Sequence, residues 1–365
     1  MEKRQRITYL DMAKGVGIIL MVAGHLLGSL QTIDYKPWFS PVFQVIASFH
    51  MPLFFVISGV VLALTCEENK DMRTIIRRKA KTLLLPYASF SVIYIAINIY
   101  TYFAHPELIE LSLLWKLIVY SLTFHGISVL WFLPTLFFGE ILFLAVRKRF
   151  DDKRMTFLLV AAGGLMFLIS PVFRWEGWEE NLLILAVGSL LQVAVRSVLI
   201  MVFLLVGYLL YPLLQKRQKW SAAELLAGAA LLIGCGTLCF ANDVVDLNYM
   251  VFGNVFLYLI CACGSSIGVI LLCKNLYQSK ILLFIGTNSL VIMATHMEFK
   301  VMMHAVQFSY WLNTFVTRAK EWVLFGTIAC YMFLAEVIIV MIYKYFLYFL
   351  IGKEKPAREH KEEKR

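Results

Sequence analysis

The chain has 365 residues, 60% of them hydrophobic, and a formal net charge of +10 at pH 7. With a mean hydropathy of +0.75 and an apolar share well above the ~45–50% of soluble domains, it is excluded from the water-soluble globular enzymes. Nucleic-acid binding is excluded as well, because the basic residues sit in short gaps between apolar runs, where membrane topology places them.

The start, MEKRQR and the apolar run behind it, imitates a signal peptide. Asp11 and Lys14 interrupt that run and no small-residue cleavage site follows, so it reads as an uncleaved first span. Ten apolar segments are long enough to cross a ~30 Å hydrocarbon core: 7–30, 42–65, 83–103, 130–147, 155–172, 196–214, 221–240, 254–273, 282–305 and 324–348. Residues 181–195 are also apolar and read as a re-entrant or interfacial piece before the sixth span. The expected fold is therefore an all-α polytopic membrane protein with about ten transmembrane helices.

Most Lys and Arg residues fall in the N-terminal tail, 66–82, 147–154, 215–220, 274–280 and the stretch from Lys344 onward. The alternate gaps carry Asp34, Glu107, Glu110, Glu176, Glu179, Glu180, Asp243 and Asp246. The positive-inside rule then puts both termini in the cytoplasm of a cell that carries the protein in its plasma membrane. Residues 351–365 read as a solvated charged tail. The seven cysteines show no zinc spacing and read as packing residues, with Cys66 at the edge of an inner gap. No metal site is expected.

Chemistry concentrates in the first span, which carries Asp11, Lys14 and His25. Ionisable groups inside spanning helices are costly and face the protein interior or a pathway. On a helix rising ~1.5 Å per residue, Lys14 and His25 are ~16.5 Å apart, with azimuths differing by about 20°. Asp11 lies within about 40° of the same line and balances Lys14 as an i, i+3 pair.

Depth counting brings further ionisable groups toward His25. His25 and His50 lie ~8 and ~12 Å in from the outer ends of spans one and two. His296 lies ~21 Å from the inner end of span nine, again in the outer half, and Glu140 is ~15 Å into span four. Each has a structural alternative: a histidine can simply bond a carbonyl, FHMP can be a helix start with Pro52 in its first turn, and Glu140 can be a protonated packing residue. His105, His125, His304 and His360 fall in or near polar gaps and are left as structural.

On the inner side, RTIIRRKAK supplies Arg73, Arg77, Arg78, Lys79 and Lys81. Topology and contact with anionic membrane lipids account for such a cluster, but Arg forks and Lys charges also match phosphate oxygens. Stripe and patch together suggest a cytoplasmic donor with phosphates at one end and a slender reactive arm, the shape of an acyl-coenzyme A. Lys14, Arg77, Arg78 and Lys81 would hold it, and His25 would act as general base on an acceptor hydroxyl or take the acyl group itself. His50, Glu140 and His296 would complete the cavity.

These motifs resemble the membrane-integral acyltransferases of type 3. The resemblance rests on LDMAKGVGIILMVAGH, on SFHMPLFFVISG, and more weakly on VLWFLPTLFFGE and IGTNSLVIMATH. In that family a basic residue, ten intervening residues and a histidine recur on the first helix, as Lys14 and His25 do, and the histidine is assigned a catalytic role. The wording is nearest the fucose 4-O-acetylase-like branch, which includes nodulation-factor and capsule acetyltransferases. The resemblance implies a membrane acyltransferase domain over 1–350 that moves acetyl from acetyl-CoA to a sugar hydroxyl of an exported or lipid-linked glycan. It also implies two departures. The family's Arg-x-x-Arg becomes Arg78-Lys79-Ala80-Lys81 here, with a point charge at the second position, and no SGNH-type hydrolase domain is appended. The alternative from another class is a carrier or flippase for glycans or their lipid-linked precursors, since buried ionisable groups mark pathways there too.

Overall fold

Helix α1, Thr8–Gln31, is the element against which the site is built. In the computed structural model, residues 7–31, 39–65, 70–173, 181–216, 220–315 and 321–354 are described. The N-terminal MEKRQR, Asp34, Cys66, Glu176, Glu179, Glu180, His360 and the tail beyond residue 354 lie outside the described residues.

After α1 come α2 (Phe39–Leu64), α3 (Met72–Lys79) and α4 (Leu85–Ala104), the last two joined by a π-turn over Ala80–Leu84. Next are α5 (Leu111–Leu122), a 3-10 turn at Ser128–Trp131, α6 (Phe132–Arg149), α7 (Asp152–Ile169), α8 (Leu182–Lys216) and α9 (Ala222–Leu238). The chain closes with α10 (Val255–Asn275), α11 (Lys280–Thr287), α12 (Ser289–Thr295), α13 (Val301–Phe315) and α14 (Glu321–Tyr345). Among the described residues, β pairing is confined to one bridge, Asp246 with Val251. The chain is an all-α polytopic membrane protein, with nine described helical segments long and apolar enough to cross a membrane.

Three spans differ from the sequence reading. Residues 181–195 are not a separate re-entrant piece but continue into α8, whose 35 residues reach about 52 Å. The expected ninth span, 282–305, is interrupted: α11 and α12 are followed by a turn at 296–300, with Lys300 at φ 59°, before α13. Pro52 lies inside α2 rather than in its first turn.

Backbone contact between helices fixes the frame. A Cβ on Gly286 of α11 would run into the Asp11 carbonyl of α1, and one on Gly15 would meet the Leu282 carbonyl. The same reciprocal approach joins α2 and α8, Gly59 against the Leu204 carbonyl and Gly207 against that of Val56. Small residues let helices approach this closely where no water drives them together. With α10 packed on α1 and α2, α2 is the central helix, in contact with α1, α8 and α10. Cys235, Cys239 and Cys261 form a small buried cluster at the α9–α10 contact.

Candidate functional site

Side chains from the second half of α1 and the first half of α2 pack together through Leu26, Leu27 and Ile46 and also face open space. They border a cavity of about 820 Å³ with the 3-10 turn, the 245–249 loop and α13. Two interruptions of helical backbone meet there. The first runs from Phe124 to Ser128, with positive φ at Phe124, Gly126 and Ser128. The second is the His296–Lys300 turn, and its flanking α12 packs on the 3-10 turn. Irregular backbone within a membrane protein is sustained where it is buried in protein or lines a cavity, and here protein bonds hold both.

The His296 turn is tied from two sides. Tyr94 of α4 donates its hydroxyl to the Ala294 carbonyl. Thr295 donates to the Glu336 carboxylate of α14 at 2.8 Å, and Glu336 is itself buried. The ring of His296 is fully buried, and its Nδ1 lies 3.0 and 2.8 Å from the Ile292 and Met293 carbonyls. A carbonyl only accepts, so Nδ1 carries the proton and Nε2 keeps its lone pair. That Nε2 is buried without a hydrogen-bond partner among the described residues.

Beside it stands His25, its ring centroid 5.3 Å from that of His296. His50 lines the same cavity, and its Nδ1 is 2.9 Å from the Ile46 carbonyl. The same reasoning makes Nδ1 its donor and leaves Nε2 as an acceptor. The structure thus gathers His25, His50 and His296 from three separate segments. Five methionines, Met21, Met51, Met297, Met302 and Met303, line much of the remaining wall, a soft apolar surface that adapts to its contents.

Glu140 is not brought to this cavity. It is 3% exposed, and its Oε2 lies 2.8 Å from Lys79 Nζ, so it faces the basic segment that includes Lys79 rather than the histidines. Depth along a helix does not fix azimuth, and α6 turns Glu140 toward Lys79 of α3. Lys14, Arg77, Arg78 and Lys81 do not line the cavity either. Lys14 pairs with Asp11 at 3.3 Å near the start of α1, while Arg77 and Lys81 are exposed and Arg78 half-buried on α3 and the π-turn.

Sequence reading missed Arg196, Asp246, Asn248 and Trp131. Arg196 of α8 is fully buried. It donates to the Asn248 side-chain oxygen and, at 3.1 Å, to the His125 carbonyl, and its guanidinium carbon lies 5.4 Å from the Trp131 ring centroid. The available signal was a lone arginine inside an apolar run, which marks an interior group. His125 stacks on Tyr120 and bonds Gln192 at 2.7 Å, a packing role. Among the described residues no group of three or more His, Cys, Asp or Glu side chains is arranged to hold a metal ion.

Residues 7–352 match the family model described as an acyltransferase domain, Acyl_transf_3. The chain belongs to this acyltransferase family. It is also similar to two curated relatives named Nodulation protein NolL. The protein from Mesorhizobium japonicum is 28% identical over 166 residues, 44% of this chain and 41% of that protein. The one from Sinorhizobium fredii is 42% identical over 80 residues, 21% of each chain. The matched segments thus span less than half of either relative. No solved structure matches the chain.

Proposed function

We propose that this membrane protein is an O-acyltransferase that moves acetyl from acetyl-CoA to a sugar hydroxyl of an exported or lipid-linked glycan. The observation that carries this reading is His25 beside the buried His296 and sharing a cavity with His50, in a chain of an acyltransferase family. The Nε2 of His296 accepts no hydrogen bond among the described residues as the site stands, and a shift of the neighbouring His25 ring, 5.3 Å away by centroid, on substrate binding would let it accept the His25 N–H. The other ring nitrogen of His25 then serves the reaction, the arrangement of a base held by a third group.

In the direct route, His25 takes the proton of the acceptor hydroxyl while the hydroxyl oxygen attacks the thioester carbonyl. The carbon–sulfur bond breaks, and the imidazolium returns the proton to the departing thiolate. In the covalent route, the imidazole nitrogen attacks the thioester carbonyl, the carbon–sulfur bond breaks, and the departing thiolate takes the imidazole N–H proton. The acceptor hydroxyl oxygen then attacks the acyl carbon, the nitrogen–carbon bond breaks, and the hydroxyl proton passes to the freed imidazole. Lys14, Arg77, Arg78 and Lys81 hold the donor's phosphates at the opposite end of the bundle, the Arg forks suiting phosphate oxygens. His50 shapes the cavity beside His25. Glu140 serves as the partner of Lys79, anchoring the basic segment.

Placing the basic gaps on the cytoplasmic side puts the donor in the cytoplasm and the histidines in the outer half of the plasma membrane. A carrier reading shares one feature, the two helix interruptions meeting at a cavity, because broken helices also build transport sites. The two are separated by incubating the purified protein with labelled acetyl-CoA, with and without bacterial surface glycans. Label appearing on glycan or protein supports the transferase. Glycan movement across proteoliposomes without loss of the thioester supports the carrier.

A further inference from the structure

One wall of the cavity is polar, and neither the family nor the histidine chemistry assigns it a role. The 245–249 loop contributes Asp246, Asn248 and Tyr249, with Ser128 and Gln307 nearby. Tyr249 is 67% exposed. Asp246 is the one carboxylate among the described lining residues, and no Lys or Arg lines the cavity among them. The loop is held from beneath. Buried Arg196 binds the Asn248 oxygen and the His125 carbonyl of the first helix interruption, and packs over Trp131, which also lines the cavity. Asp246 accepts from the Tyr249 backbone N–H at 3.0 Å, which sets the loop's turn. Gln44 of α2 pins the preceding segment through the Cys239 and Asn242 carbonyls.

A fully desolvated arginine is costly unless its bonds secure something. Here they join two otherwise separate segments, the 245–249 loop and the 124–131 interruption, into one wall. That wall presents a carboxylate, a carboxamide and a hydroxyl beside exposed aromatic surface. An anionic ligand would meet Asp246 at the cavity face with no lining cation beside it, while the Arg196 charge that bears on Asp246 sits behind the wall, already committed.

Resting on the acyl-transfer reading above, we propose that this wall is the acceptor subsite and that it takes a neutral pyranose. Asp246 and Asn248 hold ring hydroxyls, Tyr249 stacks on the C–H face, and Arg196 is a positioning residue that keeps the wall in place. The cavity volume of about 820 Å³ suits a small molecule, within the roughly 300–1,000 Å³ of ligand sites.

The test uses full-length protein in nanodiscs. The probes are the methyl glycosides of glucose, galactose, mannose and fucose, with methyl glucuronide as the anionic counterpart. Binding is read by saturation-transfer NMR, and transfer with labelled acetyl-CoA. At least one neutral glycoside is expected to bind, with the glucuronide at least about tenfold weaker. Asp246→Asn and Asn248→Ala each weaken neutral binding about tenfold, and Asp246→Asn narrows the gap to the glucuronide. Arg196→Lys keeps the charge but cannot span both partners, so it raises acceptor KM as Asn248→Ala does while leaving donor KM unchanged. The subsite is overturned if no neutral glycoside binds, if the glucuronide binds as well, or if both loop variants leave binding unchanged. Acetyl transfer with acceptor KM unaffected by the loop variants sinks the subsite and leaves the transferase standing. Binding that follows the predicted pattern without acetyl transfer supports the subsite and sinks the transferase reading.

Discussion

Removing the Glu140 carboxylate separates a structural role from a catalytic one. Its partner Lys79 has a side chain 13% exposed, against 4% for Glu140, so water screens the pair little. Truncating one member of such a pair leaves an uncompensated charge and costs about 3–5 kcal/mol, whereas replacing both by apolar residues of similar size is often neutral. Glu140→Ala should therefore lower Tm by several degrees and reduce activity through lost folded protein. The double variant Glu140→Leu with Lys79→Met should recover most of both. Thermal unfolding in nanodiscs, paired with acetyl transfer per folded molecule, makes the comparison. A double variant with restored Tm but no transfer would refute the reasoning and return Glu140 to the chemistry.

Other outcomes follow from the same geometry. Gly286→Ala drives a methyl into the Asp11 carbonyl and should cost about 1–3 kcal/mol as overpacking. Gly234→Ala, which meets nothing within 4 Å, should leave Tm unchanged or slightly raised. His296→Ala should lower kcat about 10²-fold, the lower end of what acid–base groups contribute, with donor KM unchanged. A matching rise in donor KM would instead mark a donor-binding role. Arg77→Gln combined with Arg78→Gln should raise KM for acetyl-CoA about tenfold while sparing acetyl-pantetheine, which lacks the nucleotide phosphates. Equal effects on the two donors would contradict phosphate binding at that segment.

Much of the fold was legible because the bilayer imposes simple rules on composition. The spans of α1, α2, α6, α7, α9 and α10 follow from apolar length alone. Two of the misreadings share a cause, a polar residue interpreted through the sequence around it rather than through distant partners. Arg196 looked like the beginning of a span, yet α8 passes straight through it because Asn248 and the His125 carbonyl satisfy it. The break at His296 has no Gly or Pro to announce it. Tyr94 and Glu336, from helices far away in sequence, hold it instead through the Ala294 carbonyl and the Thr295 hydroxyl.

The site divides in the same way. His25, His50 and His296 could be placed at comparable depths by counting residues, since helix rise is constant. Glu140 could not be assigned, since its neighbour depends on how α6 is rotated against α3. The polar wall around Asp246 and Asn248 was invisible, because a loop between spans carries no periodicity from which its facing could be read.

Replacing His25 tests the central claim most directly. Purified His25→Ala protein, shown by thermal unfolding to be folded in nanodiscs, should transfer labelled acetyl from acetyl-CoA about 10²–10⁴-fold more slowly than wild type, with donor binding retained. Transfer within tenfold of wild type would contradict the account.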